Sequence, residues 1–285
     1  GGKASTVWEP LERLNRRLVR KLIAWGTRDV RSPGMPLNDF GLLCEQVRPA
    51  DVILVEGRSL LSGVIQAVTL SSWSHAAMYI GRLRDLPDEV FRQQLIEKRD
   101  WAPEQQLLLE SEMGRGTVIV PIEKYARYHM RICRPRDLLP EDARTVLGYM
   151  VSRVGMQYDM RQILDLLRFM FPYGLMPRRW RSSLFEVRAG EITRAVCSTL
   201  IAEAFARVHF PILPVIHRGP GSAYRFFRSD TRLIVPRDFD YSPYFDIVKY
   251  PFFGGRDIQL YRDMPWDELG VLTRQGADAV ALEDR

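Results

Sequence analysis

The sequence predicts an α+β fold, and three observations carry that prediction. Runs with strand character cluster in the middle of the chain, and helical periodicity lies before and after them. No glycine-rich nucleotide loop occurs, neither G-x-G-x-x-G nor G-x-x-x-x-G-K, so the usual mark of a doubly wound parallel sheet is missing. The 285 residues include 13 Phe, 11 Tyr and 6 Trp, enough apolar bulk for a sizeable core without covalent staples.

The elements follow in order. Residues 9–25 place Leu11, Leu14, Leu18, Leu22 and Trp25 on one helical stripe, ringed by arginines and Lys21. Such a helix either docks its leucines on the protein's own core or lies on an anionic membrane surface. "RSPGMP" then reads as a linker. "VILV", Val52 to Val55, is a short apolar strand, followed by a helix through "LLSGVIQAVTL". A strand runs from His75 to Gly81, and residues 84–105 read as a polar surface excursion. "QQLLLESE" and "GRGTVIVPI" form a hairpin, and "YHMRICRP" is a further strand. A helix begins after Pro140, with Val146, Leu147, Met150, Val151 and Val154 on its apolar stripe. "MRQILDLLRFMF" reads as a further helix. The last clear helix spans about Arg194 to Val208, burying Cys197, Leu200 or Ile201, Ala204, Phe205 and Val208.

The charge is uneven. Residues 1–31 hold eight basic and three acidic residues, which is +5 of the chain's net +6. The rest is close to neutral and carries no nucleic-acid-binding motif, which argues against a nucleic-acid partner. Three cysteines make no disulfide framework and favour a reducing compartment, though a periplasmic chain would carry the same set. No apolar run reaches the roughly 18 residues of a spanning helix, and no signal peptide is visible. The expectation is a cytoplasmic chain, with peripheral membrane contact through residues 9–25 as the open second reading.

The candidate chemistry centres on Cys197. It sits near the start of its helix, where unpaired N–H groups and the helix dipole favour a thiolate. His75, at the start of an apolar strand, is a base that could serve it, and an imidazole in that role needs an orienting acceptor. Glu110 and Glu112 share one strand face, so alternation does not choose between them. Ala77 and Tyr79 share the His75 face. In this reading Cys197 attacks an acyl carbon, His75 moves the proton, Glu110 holds the ring, and the Cys197 N–H supplies part of an oxyanion hole. The bland alternative is a core cysteine and an ordinary hydrogen-bonded histidine. His129, His209 and His217 show no metal-ligand cadence, Cys44 and Cys133 read as structural, and no cofactor or metal is expected.

The chain resembles the circularly permuted papain-like cysteine hydrolases of the broad NlpC superfamily. Its nearest look is the YiiX-like branch, related in layout to lecithin:retinol acyltransferase. The resemblance rests on Ala50-Asp51 before "VILV", where the family has Gly-Asp, and on Ser74-His75 entering "SHAAMYIG". It continues through Glu110 in "LLLES" followed by "GTVIVPIEKY", then "GMQYD" from Gly155 to Asp159. It ends on Cys197-Ser198 in "VCSTLIAEAF" and the late stretch "IVPRDFDYSPYF", which looks like a strand-loop. It covers roughly residues 47–250, leaving 1–46 as a basic helix and linker and 251–285 as a C-terminal extension. It implies a permuted papain-like (NlpC-type) fold with an antiparallel sheet packed against helices. It also implies a Cys197–His75–Glu110 triad, and a substrate cleft with Tyr158, Asp159, Ser74 and Ser198. Asp159 could equally cap the helix after it.

The expected activity is that of an amidase, esterase or acyltransferase working through a thioester. Its substrate would be a small molecule, a peptide or an acyl lipid. A catalytically silent substrate- or membrane-binding protein on the same scaffold is the alternative. Arg178, Arg179 and Arg181 around Trp180 are a solvated loop or a contact for an acidic substrate end. The sequence does not specify an oligomeric state.

Overall fold

A computed structural model of the chain describes residues 24–30, 36–86, 92–93, 101–112, 115–156, 196–218 and 224–250. The helix expected over residues 9–25 falls outside these up to residue 23. So do Tyr158, Asp159, the helix expected after them, the Arg178–Arg181 loop and residues 251–285. Trp25, the last member of the expected stripe, is exposed.

Among the described residues six strands form one antiparallel sheet. They are β1 (Val52–Val55), β2 (His75–Arg82), β3 (Gln106–Glu112), β4 (Gly116–Pro121), β5 (Met130–Pro135) and β8 (Phe245–Val248), in the spatial order β4-β3-β2-β1-β5-β8. A separate two-stranded ribbon pairs β6 (Val215–Arg218) with β7 (Tyr224–Phe227). The helices with both ends among the described residues are α1 (Phe40–Gln46), α2 (Leu60–Thr69), α3 (Pro140–Ser152), α4 (Val196–Arg207) and α5 (Pro236–Tyr241).

Alternation divides the sheet into two buried faces. Val52, Leu54, Ala76, Met78, Leu107 and Leu109 face one way and pack with α3 and α4 through Val146, Met150, Ile201 and Phe205. Ile53, Val55, Ala77, Tyr79, Leu108 and Ile132 face the other. That second face is covered by Leu43 of α1, Val47 and the 3-10 turn Ile122–Tyr125. Both faces of β1 are therefore apolar and covered, which is why it reads as an unbroken run rather than an alternation. The core draws on Leu43, upstream of residue 47.

Local chemistry sets the element ends. Asp39 caps α1 by accepting the Leu42 N–H at 3.0 Å, and Ser59 caps α2 by accepting the Ser62 N–H at 3.1 Å. Pro140 opens α3, followed by Glu141 and Asp142 in the first turn, where negative charge suits the helix dipole. In β2, Tyr79 faces Leu108 and Gly81 faces Leu107, so Ile80 is the extra residue of a bulge. Gly81 takes φ 111°, which a side chain would resist.

The late stretch "IVPRDFDYSPYF" departs from the expected strand-loop. Pro236 starts α5, and Asp238 accepts the Val235 N–H at 2.9 Å, so a short helix precedes β8. Proline at the first helical position and an acidic cap favour that outcome. Helix α1 and the β6–β7 ribbon are further elements that the periodicity did not predict.

Ala50 and Asp51 form the corner before β1. Ala50 has φ 72°, a left-handed conformation that glycine adopts freely and alanine at a cost of about 1–2 kcal/mol. The Gly-Asp of the resembled family fits that backbone without strain. Asp51 is almost fully buried, accepting the Arg48 N–H at 2.8 Å and pairing with Arg134 Nη2 at 2.8 Å. Removing the cation leaves an uncompensated buried carboxylate. Arg134→Met is expected to destabilise the fold by about 3–5 kcal/mol, read as a lower midpoint in urea unfolding. An unchanged midpoint would show that Asp51 does not depend on Arg134.

Candidate active site

The three cysteines differ in environment. Burial pushes the Cys44 thiol up to about 12, helped by Glu123, and burial likewise pushes Cys133 well up. Cys197 is the exception. It too is buried, which on its own opposes a thiolate, yet its pKa is lowered. The His75 charge and hydrogen bond outweigh burial, and the backbone N–H groups of Ala76 and Ser198 add to the effect. Cys197 is the second residue of α4, where N–H groups have no partner inside the helix.

His75 is the first residue of β2. Helix α4 packs on β2 and β3, so its first turn meets the start of β2 at one end of the sheet. The imidazole Nε2 lies 2.7 Å from Glu110 Oε2, and Cys197 is the ring's other hydrogen-bond partner. With Nε2 engaged by the carboxylate, Nδ1 is the nitrogen left for the sulfur. Burial opposes the imidazolium, but the Cys197 and Glu110 charges prevail and push the ring up to about 10. The ring keeps one-fifth of its side-chain surface exposed, while the Glu110 side chain has none.

Burial alone would favour neutral Glu110, yet its pKa is lowered well below the usual carboxylate range, by His75 first and then Lys124. Tyr125 donates its hydroxyl to Oε2 at 2.6 Å, and Lys124 Nζ holds Oε1. Both come from the 3-10 turn after β4. Burial and the facing Glu110 raise the Tyr125 phenol well above its ordinary value, so it stays a donor. Sequence reasoning missed this pair. The signal was present as "EKY" after the valine-rich strand, but only the turn's fold back over β3 gives it meaning.

Glu112 takes a different part. It pairs with Arg115 at 2.6 Å and shares Lys124. The β2–β3 ladder ends at Met78 facing Leu109, and its continuation would set His75 across from Glu112. The imidazole instead reaches the diagonal neighbour, Glu110.

The residues expected in the cleft fall differently. Ser74 is buried, and its hydroxyl accepts the Gly57 N–H at 3.0 Å, tying the loop before α2 to the start of β2. A β-carbon at Gly57 would lie 2.6 Å from that hydroxyl, so glycine is needed for the approach. Ser198, expected to line the cleft, is instead fully buried, and its hydroxyl donates to the Ile234 carbonyl at 2.6 Å. An α4 side chain one step past Cys197 points away from the imidazole and into the core. Ahead of β2, Trp73 donates to Asp240 at 3.2 Å, and Arg131 bonds the same carboxylate at 2.6 Å, clamping the chain two residues before His75.

Among the described residues no group of three His, Cys, Asp or Glu is placed to hold a metal ion, and no helix is long and apolar enough to cross a membrane. No protein-family model matches the chain, and no curated protein matches it. Among solved structures it is similar to the crystal structure of the metalloprotein YiiX from Escherichia coli O157:H7. The identity is 13%, covering 72% of this chain and 98% of that one, with a TM-score of 0.42. This is a distant likeness of general arrangement.

The geometry predicts selective thiol chemistry. At pH 6–7 iodoacetamide should modify Cys197 before Cys44 or Cys133, as mapped by peptide mass spectrometry. Glu110→Gln removes a charge that raises His75, so the imidazolium weakens and the Cys197 pKa rises. Alkylation at pH 6 should then slow by about tenfold or more. An unchanged pH profile in that variant would show that Glu110 does not act through the ring.

Proposed function

We propose that this chain is a cysteine-dependent hydrolase or acyltransferase that works through a thioester on Cys197. The observation that carries this reading is the series of groups from buried Glu110 through half-buried His75 to the one cysteine whose pKa is lowered. The thiolate attacks the carbonyl carbon of an amide, ester or thioester, and a tetrahedral oxyanion forms. The Cys197 N–H, in the first turn of α4, is the natural donor to that oxyanion. The leaving amine, alkoxide or thiolate takes the proton from imidazolium His75 as the intermediate collapses. Neutral His75 then removes a proton from water, or from an acceptor alcohol or amine, as it attacks the thioester. Glu110 stays ionised and fixes the ring, supported by Tyr125 and Lys124.

This assigns the nucleophile to Cys197, the acid and base to His75, and the orienting carboxylate to Glu110. It also fits the permuted papain-like arrangement that the sequence resembles, with histidine before cysteine. The substrate class is an acyl compound, and an acyl lipid is among the candidates.

The test is a panel of p-nitrophenyl esters, acyl thioesters and N-acyl amides with acid-quenched intact mass spectrometry. An acyl adduct on Cys197 that is released by hydroxylamine is expected. Cys197→Ala should lower turnover at least about 1,000-fold with an unchanged melting temperature. A variant that keeps full turnover would remove the assignment. Activity should fall as pH rises through about 10, because His75 then no longer holds the proton for the leaving group. His75→Ala should abolish acylation at every pH.

A further inference from the structure

The segment from His209 to Ser229, "HFPILPVIHRGPGSAYRFFRS", holds three arginines and two histidines and no acidic residue. It contains both strands of the β6–β7 ribbon, in which Val215 faces Phe227, Ile216 faces Phe226, His217 faces Arg225 and Arg218 faces Tyr224. All eight of these residues are exposed, on both faces, with Tyr224 and Phe226 each 63% accessible. A two-stranded ribbon has no third strand to lean on and is marginal in water. Large apolar side chains exposed together on such an element mark an interaction surface. Among the described residues no carboxylate pairs with Arg218, Arg225 or Arg228, and Arg228 reaches only the His209 ring.

A cavity of about 390 Å³ opens at the base of this ribbon. Its walls are mostly apolar, among them Ala202 and Ala206 of α4, Phe210, Leu213, Phe226 and Phe227. Exposed Arg228 supplies cationic character to its lining and donates to the His209 ring. The volume lies in the range of roughly 300–1,000 Å³ typical of small-ligand sites.

Aromatic side chains beside unpaired arginines suit the headgroup region of an anionic bilayer. A second copy is a poorer occupant. Edge-to-edge pairing of two such ribbons would bring their arginines together, and like charges facing across strands repel. We propose that the β6–β7 ribbon docks on an anionic phospholipid bilayer, with Tyr224 and Phe226 at the interface and Arg218, Arg225 and Arg228 on lipid phosphates. The cavity at its base takes one acyl chain of a lipid from that bilayer. The proposal rests on the ribbon and its cavity, and it stands whether or not Cys197 is a nucleophile.

Co-sedimentation of the full chain with phosphatidylcholine vesicles, with and without phosphatidylglycerol, tests it. Binding is expected only with the anionic lipid. Tyr224→Ser/Phe226→Ser and Arg218→Glu/Arg225→Glu should each lower partitioning by about tenfold or more. An unchanged melting temperature serves as the fold control. Native mass spectrometry after vesicle incubation should find one retained phospholipid per chain, lost in Ala206→Phe, which fills the cavity. Three results would overturn the proposal. One is no binding to anionic vesicles. Another is equal binding by the ribbon variants, which would assign attachment to another part of the chain such as residues 9–25. The third is a lipid-free dimer that dissociates on Tyr224→Ser/Phe226→Ser.

Discussion

The contact between His75 Nε2 and Glu110 Oε2 is the joint on which the rest of the site depends. An ionised carboxylate with no solvent exposure is costly unless donors surround it. Here His75, Tyr125 and Lys124 all aim at the two oxygens of Glu110. That supply keeps the carboxylate charged, and the charge in turn holds a proton on the imidazole. The imidazolium then offsets the burial of Cys197, which would otherwise leave the thiol as inert as Cys44 and Cys133. Each charge favours the charged form of its neighbour.

The fold serves this chain of charges by rigid support at both ends of the short segment that carries His75. Trp73 and Asp240 anchor it from α5, and Ser74 ties it to the Gly57 loop. Beyond it, β2 lies in the middle of the sheet with partners on both edges, so the histidine projects from an element with little freedom. Helix α4 arrives on the opposite face from the one that carries Ala77 and Tyr79, and its first turn meets the histidine only because His75 is the strand's first residue. A histidine further along the strand would have been sealed beneath the second apolar layer with Tyr79.

The β6–β7 ribbon has the opposite character. The sheet buries its apolar residues on both sides, whereas the ribbon exposes them on both sides and adds positive charge that meets no carboxylate among the described residues. One protein thus combines a satisfied polar site at one end of its sheet with an unsatisfied apolar and cationic surface along the far part of α4.

Local pattern by itself determined the α+β class, the central strands close to their observed limits, and the core stripes of α3 and α4. Those features rest on periodicity and on the helix start, which neighbours in sequence specify. It did not reveal α1 or the ribbon, where seven- and four-residue elements are too short for a period to emerge. The choice of Glu110 over Glu112, the recruitment of Lys124 and Tyr125, and the burial of Ser74 and Ser198 were decided only by the tertiary structure. Alternation puts both glutamates on one face with equal claim. What separates them is where the β2–β3 ladder stops and how the turn after β4 folds back, and both are contacts between residues far apart in the chain.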